Sequence, residues 1–449
     1  MNYYYYHTDD LGRWLKIART SGLLLITILI TGTLSYSQNI EEVNVFDLPN
    51  GFQAVIDSIQ VEVLDAFEGT RIATKWEQNI YDLGNSLHVK TKQATVNRLL
   101  LFSPGDVVTR KLLIESERNL RRVSFLADAK IFLRKEAEST SVKIVVYDQW
   151  STTPGSSIKR LGGQWAYWFG LKESNILGSG QTISLSYHKS ILNSYLNLEY
   201  YNPSFSKDRL KYYLLINHSD EGRGITGSLL KPLRSKTDRS GYQISFGTQT
   251  GTNRIFWDAN LFDKQENEAM PAGVTTGEPN SVIEFPDVKI SSIYAAYTRS
   301  FGLNLKFNTV YFISSYWREY PGNTRYVAGI EEFFKPAVFQ LPTYDDRLVG
   351  IKFELFTSEY STTRNFKQLK WTEDIEQGWN TSLAIGRNLG INGGDKPEYY
   401  LSPRFSISTG SGSANYLRLD IASAWYYRSD SGTDRGKFSA NLEWICKPA

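Results

Sequence analysis

Residues 173–188 read Glu-Ser-Asn-Ile-Leu-Gly-Ser-Gly-Gln-Thr-Ile-Ser-Leu-Ser-Tyr-His, and they decide the fold of the second half of the chain. The first part contains Asn175, Gly178 and Gly180. It predicts a tight hairpin turn, because asparagine and glycine can adopt the positive φ angles that such turns require. From residue 183 onward apolar and polar residues alternate, which predicts a strand with one apolar and one polar face. A turn followed by such a strand indicates an antiparallel sheet.

The same alternation recurs many times in residues 161–449, where helical periodicity is hard to find. Its clearest examples are the apolar sets Leu303-Leu305-Phe307, Ile351-Phe353-Leu355 and Leu417-Leu419-Ile421, each interleaved with mostly polar residues. We count about 12 or 13 strand candidates by this criterion, the last of them at residues 438–444. The pattern predicts an all-β region.

Aromatic residues are concentrated in the same half. The chain of 449 residues has 28 Tyr, 23 Phe and 11 Trp, of which 16 lie in residues 1–160 and 46 in residues 161–449. Their clusters, which fit the aromatic girdles of a transmembrane β-barrel, include Trp165-Tyr167-Trp168-Phe169 and Trp425-Tyr426-Tyr427. A mean hydropathy of −0.35 excludes a helical membrane bundle but suits barrel strands, in which every second residue meets lipid. The aromatic-rich core of a soluble sandwich or propeller is the alternative.

Charge, cysteine and motif content exclude several other classes of function. The net charge of +3 comes from 50 basic and 47 acidic residues scattered along the chain, so nothing indicates nucleic-acid binding. The single cysteine, Cys446, excludes an internal disulfide and a cysteine-rich metal site. Hydrolase, metalloprotease and phosphate-loop motifs are absent, and the four histidines are scattered. We therefore predict no catalytic residues, no cofactor and no metal, and a protein that is not an enzyme.

The N-terminal residues have the order of a secretory signal peptide. A basic segment at residues 13–19 precedes an apolar run at residues 22–30, which is too short to cross a bilayer as a helix of about 20 residues. Ser35 and Ser37 fit the −3 and −1 positions of a cleavage site, so the mature chain is expected to begin at Gln38. An uncleaved anchor is the alternative.

Residues 55–150 predict a small α+β module. A strand at residues 59–63, a helix at 93–102 and a second helix with Thr109 as its N-cap are followed by two strands. The apolar positions that define these elements are Val96, Leu99 and Leu100 in the first helix, and Ala129, Ile131, Leu133, Val142, Ile144 and Val146 in the two final strands. The order β-α-α-β-β predicts two helices on one face of a sheet. The edge of such a sheet can bind an extended peptide; a structural spacer is the alternative.

Several motifs resemble a known superfamily. Ser103-Pro-Gly-Asp106 and the end of the module, residues 146–154, resemble a POTRA domain, the periplasmic polypeptide-transport-associated module, and its junction with a barrel. Residues 173–181 resemble the E-x-N-x-x-G-x-G turn between the first two barrel strands of the BamA/TamA-type outer-membrane superfamily, the bacterial surface antigen family. The matched segments span about residues 56–190. The motif positions are Gly105, Asp106, Asp148, Trp150, Pro154, Glu173, Asn175, Gly178 and Gly180.

The resemblance implies a signal peptide at residues 1–37, a periplasmic POTRA-like domain at 38–154 with an insertion at 65–92, and an outer-membrane antiparallel β-barrel at 155–449. It also implies an assembly or translocation factor that binds unfolded clients through the POTRA-like domain and inserts or transports them through the barrel. The implied partners are unfolded outer-membrane or secreted proteins, membrane lipid, and periplasmic chaperones or accessory lipoproteins. A two-partner-type secretion pore, and a non-transporting barrel with a structural periplasmic domain, stay open as alternatives.

Two features depart from the superfamily pattern. The 12 or 13 strand candidates fall short of the expected number of about 16. The V-R-G-F/Y motif of the loop that folds into the lumen is absent, and the nearest residues are Arg435-Gly436. We therefore expect a C-terminally truncated member that lacks three or four strands. A smaller barrel without that loop is the alternative.

Overall fold

The computed structural model contains a small α/β unit followed by a large antiparallel sheet. It describes residues 41–65, 75, 88–135, 139–161, 164–190, 193–206, 209–257, 281–321, 325–327, 343–357, 359–364, 372–390, 398–411, 415–428 and 432–446. The predicted signal peptide lies outside the described residues, and so does most of the insertion predicted at 65–92.

The α/β unit has two helices and two small sheets. Its elements are β1 (Glu41–Asn44), β2 (Gln53–Val55), β3 (Ser58–Leu64), α1 (Gln93–Leu99), β4 (Val107–Thr109), α2 (Arg110–Arg121), β5 (Leu126–Lys135) and β6 (Thr140–Asp148). Four strands pair in the order β1-β5-β6-β3, with β3 parallel to β6 and the other pairs antiparallel. Strands β2 and β4 pair separately.

The core of this unit lies between the helices and the four-stranded sheet. Leu113 and Leu120 on α2 are completely buried, as are Ile131 on β5 and Ile144 on β6. The side chain of Thr109 caps α2 by accepting the N–H of Leu112 at 3.2 Å. The two predicted helices and three predicted strands are therefore present with the expected faces buried. The sequence missed β1, β2 and β4, because three or four residues are too few to show a period.

Within the described residues, no helix is both long and apolar enough to cross a membrane.

The large sheet follows the chain as consecutive antiparallel hairpins. Its strands are β7 (Thr152–Leu161), β8 (Gln164–Glu173), β9 (Thr182–Lys189), β10 (Ser194–Asn202), β11 (Lys211–Ser219), β12 (Gly222–Lys231), β13 (Ser240–Trp257), β14 (Ser281–Phe301), β15 (Leu305–Glu319), β16 (Arg325–Val327), β17 (Tyr344–Thr357), β18 (Glu359–Arg364), β19 (Thr372–Asn388), β20 (Glu398–Ser411), β21 (Asn415–Arg428) and β22 (Gly432–Cys446). Fourteen of them form one path from β7 to β22, while β16 pairs with β14 and β18 with β19 beside that path. No ladder joins β7 to β22 within the described residues.

The all-β class predicted for this half is confirmed. The path has one or two strands more than the sequence count, because strands such as β7 and β12 are rich in glycine, serine or threonine and show little alternation. The sheet also begins at Thr152 rather than at residue 155, which places Pro154 inside β7. Proline is tolerated there because β7 is an edge strand and needs donors on only one side.

One face of the sheet is apolar and the other is polar. The apolar side chains, each at least 38% exposed, include Phe169, Leu185, Leu198, Ile216, Phe246, Ile293, Ile313, Val349, Leu383, Leu401, Leu417 and Leu442. Their neighbours in sequence, which point to the opposite face, are mostly polar or glycine.

Two residues of the predicted aromatic girdles lie on the polar face instead. A Cβ added at Gly155 would lie 2.3 Å from Cη2 of Trp168, so the Trp168 ring covers the β7 backbone on that face. Tyr426 lies on the same face of the sheet, under the guanidinium of Arg435. Successive residues of a strand point to opposite faces, so a run of adjacent aromatics cannot line one girdle.

The sheet curves with its polar face inside. Asp346 on β17 and Arg435 on β22 lie four strand spacings apart, which is about 19 Å on a flat sheet. Nη2 of Arg435 nevertheless lies 2.8 Å from Oδ1 of Asp346 and 3.1 Å from Oε2 of Glu398 on β20. Side chains that stand parallel on a flat sheet cannot meet in this way. The polar face is therefore concave.

Candidate functional site

Six of the nine predicted motif residues come together where the α/β unit meets the turn between β8 and β9, which are the second and third strands of the large sheet and not its first two. Asp148 ends β6 and Trp150 lies between β6 and β7. Glu173, Asn175, Gly178 and Gly180 belong to the end of β8 and the turn into β9. We call these six residues the junction, and we include in it four residues that they contact. These are His88, Thr91 and Lys92, which precede α1, and Thr95, which lies in it.

A buried chain of polar groups crosses the junction. Oδ2 of Asp148, a residue with no exposed surface, accepts the N–H of Thr91 at 2.8 Å and lies 3.0 Å from Nε2 of His88. Oγ1 of Thr91 accepts a hydrogen bond from Nδ2 of Asn175 at 2.8 Å. Oδ1 of Asn175 accepts the N–H of Gly180 at 2.8 Å. Losing one partner in such a chain leaves a buried polar group unpaired, which costs about 1–3 kcal/mol.

The two glycines let the turn lie directly against the α/β unit. The carbonyl of Gly178 accepts the N–H of Lys92 and the hydroxyl of Thr95, both at 2.9 Å. Gly178 and Gly180 both have φ of +72°, and the positive φ expected for them is confirmed. A Cβ at Gly178 would lie 2.2 Å from the carbonyl oxygen of Lys90. Both the backbone conformation and the close contact therefore require glycine at position 178.

Asn175 acts differently from the expectation. Its φ is −143°, and the non-glycine residue with positive φ in this turn is Leu177, at 49°. The connection contains a short 3₁₀ turn at Ile176–Gly178 and is not a two-residue hairpin turn. Asn175 contributes its side-chain amide, which bridges the α/β unit and the rest of the turn. Asparagine fits because one amide supplies a donor and an acceptor together.

Glu173 and Trp150 support the junction from its flank. Oε1 of Glu173 accepts the N–H of Asn175 at 2.7 Å, and Oε2 accepts the hydroxyl of Thr152. The indole N–H of Trp150 donates to the carbonyl of Thr152, and its ring centroid lies 6.5 Å from that of His88. These contacts fix the start of β7 relative to the turn.

The other three motif residues lie away from the junction. Gly105 has φ of +90° and donates its N–H to the carbonyl of Ile56 at 2.7 Å. Asp106 caps its own loop, since Oδ2 accepts the N–H of Ser103 at 2.8 Å. Both belong to the loop before β4, which they hold beside β2. Pro154 pairs with Leu171 within the sheet.

Sequence reasoning missed a second set of contacts, which is centred on α2. Arg121 donates from Nη2 to Oδ1 of Asp374 at 2.7 Å and from Nε to Oδ2 at 3.1 Å, while its Nη1 contacts Glu117. Oε2 of Glu117 also accepts the N–H of Ile131 at 2.8 Å, on the part of β5 that β1 leaves unpaired. We call Glu117, Arg121 and Asp374 the α2 clamp.

The α2 clamp is almost completely enclosed. The exposed fractions of its side chains are 3% for Glu117, 3% for Arg121 and 9% for Asp374. Burial raises the pKa of the Glu117 carboxyl, and the Arg121 guanidinium only partly offsets it. Burial also acts to lower the pKa of Arg121, but Asp374 and Glu117 outweigh it, and the pKa lies above its ordinary value. The arginine therefore stays charged between its two carboxyl partners.

Further contacts of the α/β unit reach turns at the same end of the sheet. Oε2 of Glu115 accepts the hydroxyl of Ser235 at 2.7 Å, and the guanidinium of Arg118 lies 3.8 Å from the ring centre of Tyr360. Ser204 also donates to the carbonyl of Arg98 at 3.4 Å. Together with the junction and the α2 clamp, these contacts join the α/β unit to three turns, which follow β8, β10 and β12, and to the β18–β19 hairpin. The α/β unit thus lies across one end of the curved sheet.

The chemistry of these contacts is that of a joint between two structural units. Carboxylates at the junction and in the α2 clamp are bonded to N–H groups or to arginine. Within the described residues, no three or more His, Cys, Asp and Glu side chains are grouped to hold a metal ion. The arrangement can hold the α/β unit in one position across that end of the sheet.

Comparison with known proteins finds similarity only among solved structures. No protein-family model and no curated protein sequence matches the chain. It is similar to BamA from Haemophilus ducreyi lacking POTRA domains 1–3, with 11% identity over 86% of this chain and 85% of that chain and a TM-score of 0.30. It is also similar to CdiB from Acinetobacter baumannii, with 10% identity over 84% of this chain and 53% of that chain and a TM-score of 0.33. The chain thus spans about half the length of CdiB.

Gly178→Ala is predicted to weaken the junction. Alanine is strained at φ of +72°, and its Cβ would meet the Lys90 carbonyl, so the turn must withdraw from α1. We expect trypsin to cleave after Lys90 and Lys92 about tenfold faster in the full-length variant, because an opening made about 1.4 kcal/mol easier is about ten times more populated. Gly105→Ala is the matched control, since Gly105 also has positive φ but has nothing within 4 Å of its added Cβ. Equal cleavage after these lysines in both variants would count against the junction.

Arg121→Met is predicted to destabilise the full chain strongly. It leaves Glu117 and Asp374 buried without their cation, and breaking a buried ion pair in this way costs about 3–5 kcal/mol. Arg134→Met is the control, because Arg134 pairs at the surface with Glu42, which is 37% exposed, and such pairs contribute about 1 kcal/mol or less. Denaturant unfolding compares the two variants. Equal losses would mean that the α2 clamp does not carry the buried charge described here.

Proposed function

We propose that the protein lies in the bacterial outer membrane and helps unfolded protein clients to insert into that membrane or to cross it. The observation that carries the proposal is a two-faced curved sheet with an α/β unit fixed across one end. The apolar convex face suits lipid, and the polar concave face suits a water-filled interior. In this proposal residues 1–37 direct export, the residues from 38 up to the start of β7 at Thr152 form a POTRA-like domain in the periplasm, and the residues from Thr152 onward form the membrane barrel.

The apolar face is the main argument for lipid contact. Soluble monomers rarely expose a contiguous apolar patch larger than several hundred Å², whereas here exposed apolar side chains recur on nearly every strand from β8 to β22. Within the described residues, no second layer covers this face. Strands β13, β14 and β15 have 18, 21 and 15 residues, more than the 9–11 or so that cross a bilayer. A soluble sandwich would bury this face against another sheet.

Ile313→Arg and Ser314→Arg test the orientation of the sheet. The two residues are neighbours in the middle of β15 and point to opposite faces, with Ile313 on the apolar one. Arginine on a lipid-facing strand position near the bilayer centre costs about 2–4 kcal/mol, so Ile313→Arg should reduce the folded fraction in lipid vesicles. Ser314→Arg should fold nearly as well as the unchanged protein. Equal folding of the two variants in vesicles, scored by the heat-dependent gel shift of folded barrels, would contradict a lipid-facing surface.

Client binding is proposed to use the outer edge of β3. This strand ends the four-stranded sheet, and no described strand pairs with its outer side. The carbonyl of Val61 points to that side, where it accepts a hydrogen bond from Nε2 of Gln93. The N–H of the same residue points the same way in a strand, so an extended client segment can add there by main-chain hydrogen bonds. The outer edge of β7, with which no described strand pairs, offers a second template next to the membrane.

The motif residues are proposed to hold the α/β unit in the position from which it delivers clients. Asp148, Asn175, Gly178 and Gly180 make the joint itself, while Glu173, Trp150 and Pro154 fix the start of β7, and Gly105 and Asp106 shape the loop before β4. Proposed partners are unfolded outer-membrane or secreted proteins, membrane lipid, and periplasmic chaperones or accessory lipoproteins. No enzymatic step, cofactor or nucleic acid enters the proposal.

Deletion of the gene, followed by quantitative proteomics of the outer membrane, tests the proposed function. Broad loss of barrel proteins is the expected result, and it would show that the protein assists the assembly of outer-membrane proteins. Loss of a single exported protein would favour a secretion pore for a specific partner, and an unchanged proteome would leave only a non-transporting barrel.

Complementation of the deletion then tests the β3 edge. Val61→Pro removes the outward N–H without breaking the ladder to β6, whereas Val61→Ala loses a similar amount of packing and keeps that N–H. We expect Val61→Ala to restore the proteome and Val61→Pro to fail. Restoration by both variants would show that clients do not use this edge.

A further inference from the structure

A cavity of about 360 Å³ lies between the α/β unit and the sheet, beside the junction. Its walls come from the end of α2, the last residues of β10, the start of β11 and the turn between β12 and β13. Tyr201 and Lys211, which line it, have their side chains on the polar face of the sheet. The cavity therefore opens toward the concave interior and its mouth, away from the lipid-facing surface.

Three cationic side chains line this cavity: Arg122, Lys211 and Arg234. Arg234 is held in place, since its Nη2 donates to the carbonyls of Pro203 at 2.7 Å and Arg209 at 3.2 Å. Within the part of the chain that the structure describes, none of the three cations forms an ion pair with a carboxylate. Asp238 lies on the same turn as Arg234, but its carboxylate binds the main chain: Oδ2 accepts the backbone N–H groups of Arg234 and Ser235.

The like charges destabilise one another in this partly buried space. Burial and the neighbouring guanidinium of Arg209 lower the pKa of Arg234 to about 10. Three cations lie around one cavity, so a bound anion would relieve their repulsion.

We propose that this cavity binds a phosphate group carried on a small organic moiety. The phosphate would accept hydrogen bonds from Arg122, Lys211 and Arg234, whose donors suit its several oxygens. The volume exceeds that of a bare oxyanion and is in the range of sites for small organic ligands. Leu99, Phe125 and Leu233 supply an apolar wall, against which the organic part can pack. The headgroup of an anionic phospholipid and a soluble phosphate compound share this chemistry.

Lys211→Gln is the principal test variant. Lys211 has no described side-chain hydrogen bond, so the substitution removes a charge without breaking an internal contact. Arg122→Gln is a second variant, since the Arg122 side chain is exposed and forms no described hydrogen bond or ion pair. Arg223→Gln is the matched control, because Arg223 is also an exposed cation but lies at the opposite end of β12.

The full chain in nanodiscs is used to distinguish the two ligand sources. For a soluble source, inorganic phosphate is titrated by calorimetry into the protein in phosphatidylcholine nanodiscs. For a lipid source, the thermal unfolding midpoint of the protein is compared between phosphatidylcholine and phosphatidylglycerol nanodiscs. If the source is soluble, phosphate binds, and Lys211→Gln and Arg122→Gln each weaken binding about tenfold or more while Arg223→Gln does not. If the source is lipid, phosphatidylglycerol raises the midpoint of the unchanged protein and the Arg223→Gln control only. The absence of both effects, or effects that persist in Lys211→Gln and Arg122→Gln, would overturn the proposal.

Discussion

The relation between the two parts of this protein depends on one short chain of buried hydrogen bonds, from Asp148 through Thr91 to Asn175 and Gly180. It ties the last strand of the α/β unit, the segment before α1 and the β8–β9 turn of the large sheet to one another. Each group in it is buried, so a lost partner leaves a buried polar group unpaired. Because the chain joins residues far apart in sequence, it fixes the orientation of the unit, which the three-residue connection between β6 and β7 cannot do alone.

The α2 clamp adds strength on the opposite side of the unit. A buried ion pair contributes little net stability when formed, but it is costly to break, so Glu117, Arg121 and Asp374 resist partial separation more than they stabilise the fold. The clamp also occupies the free part of the β5 edge, because Glu117 accepts the N–H of Ile131 there. The two edge strands of the four-stranded sheet are β1 and β3, and β3, with seven residues against four, is the longer of the two.

Much of the fold followed from local patterns. The alternation around Ile183 and Ile351, and the helix faces around Leu99 and Leu120, repeat over enough residues to determine element type. Gly178 and Gly180 could be predicted to have positive φ because few other residues tolerate it. Short strands were missed because three or four residues are too few to show a period. Adjacent aromatics such as Trp168 were placed on the wrong face because composition was read where only strict alternation carries the information.

The contacts between the two units could not be predicted in the same way. Nothing local in the sequence of α2 distinguishes its buried charges, Glu115, Arg118 and Arg121, from exposed ones. Their partners in the large sheet, which are Ser235, Tyr360 and Asp374, lie more than a hundred residues away. Asn175 illustrates the same limit, since the motif marked its position but its bond to Thr91 depends on the tertiary structure.

Amide hydrogen exchange of the full chain in nanodiscs, resolved at Thr91 and Gly180, tests the fixed junction most directly. The N–H groups of these residues are donated to Asp148 and Asn175 inside the joint. If the α/β unit is fixed as described, both amides exchange together and at least about 100-fold more slowly than the exposed Gly51, since exchange then requires the joint to open. If Thr91 and Gly180 exchange as fast as Gly51 while Ile144 in β6 stays protected, the unit is folded but not fixed to the sheet, and the account is wrong.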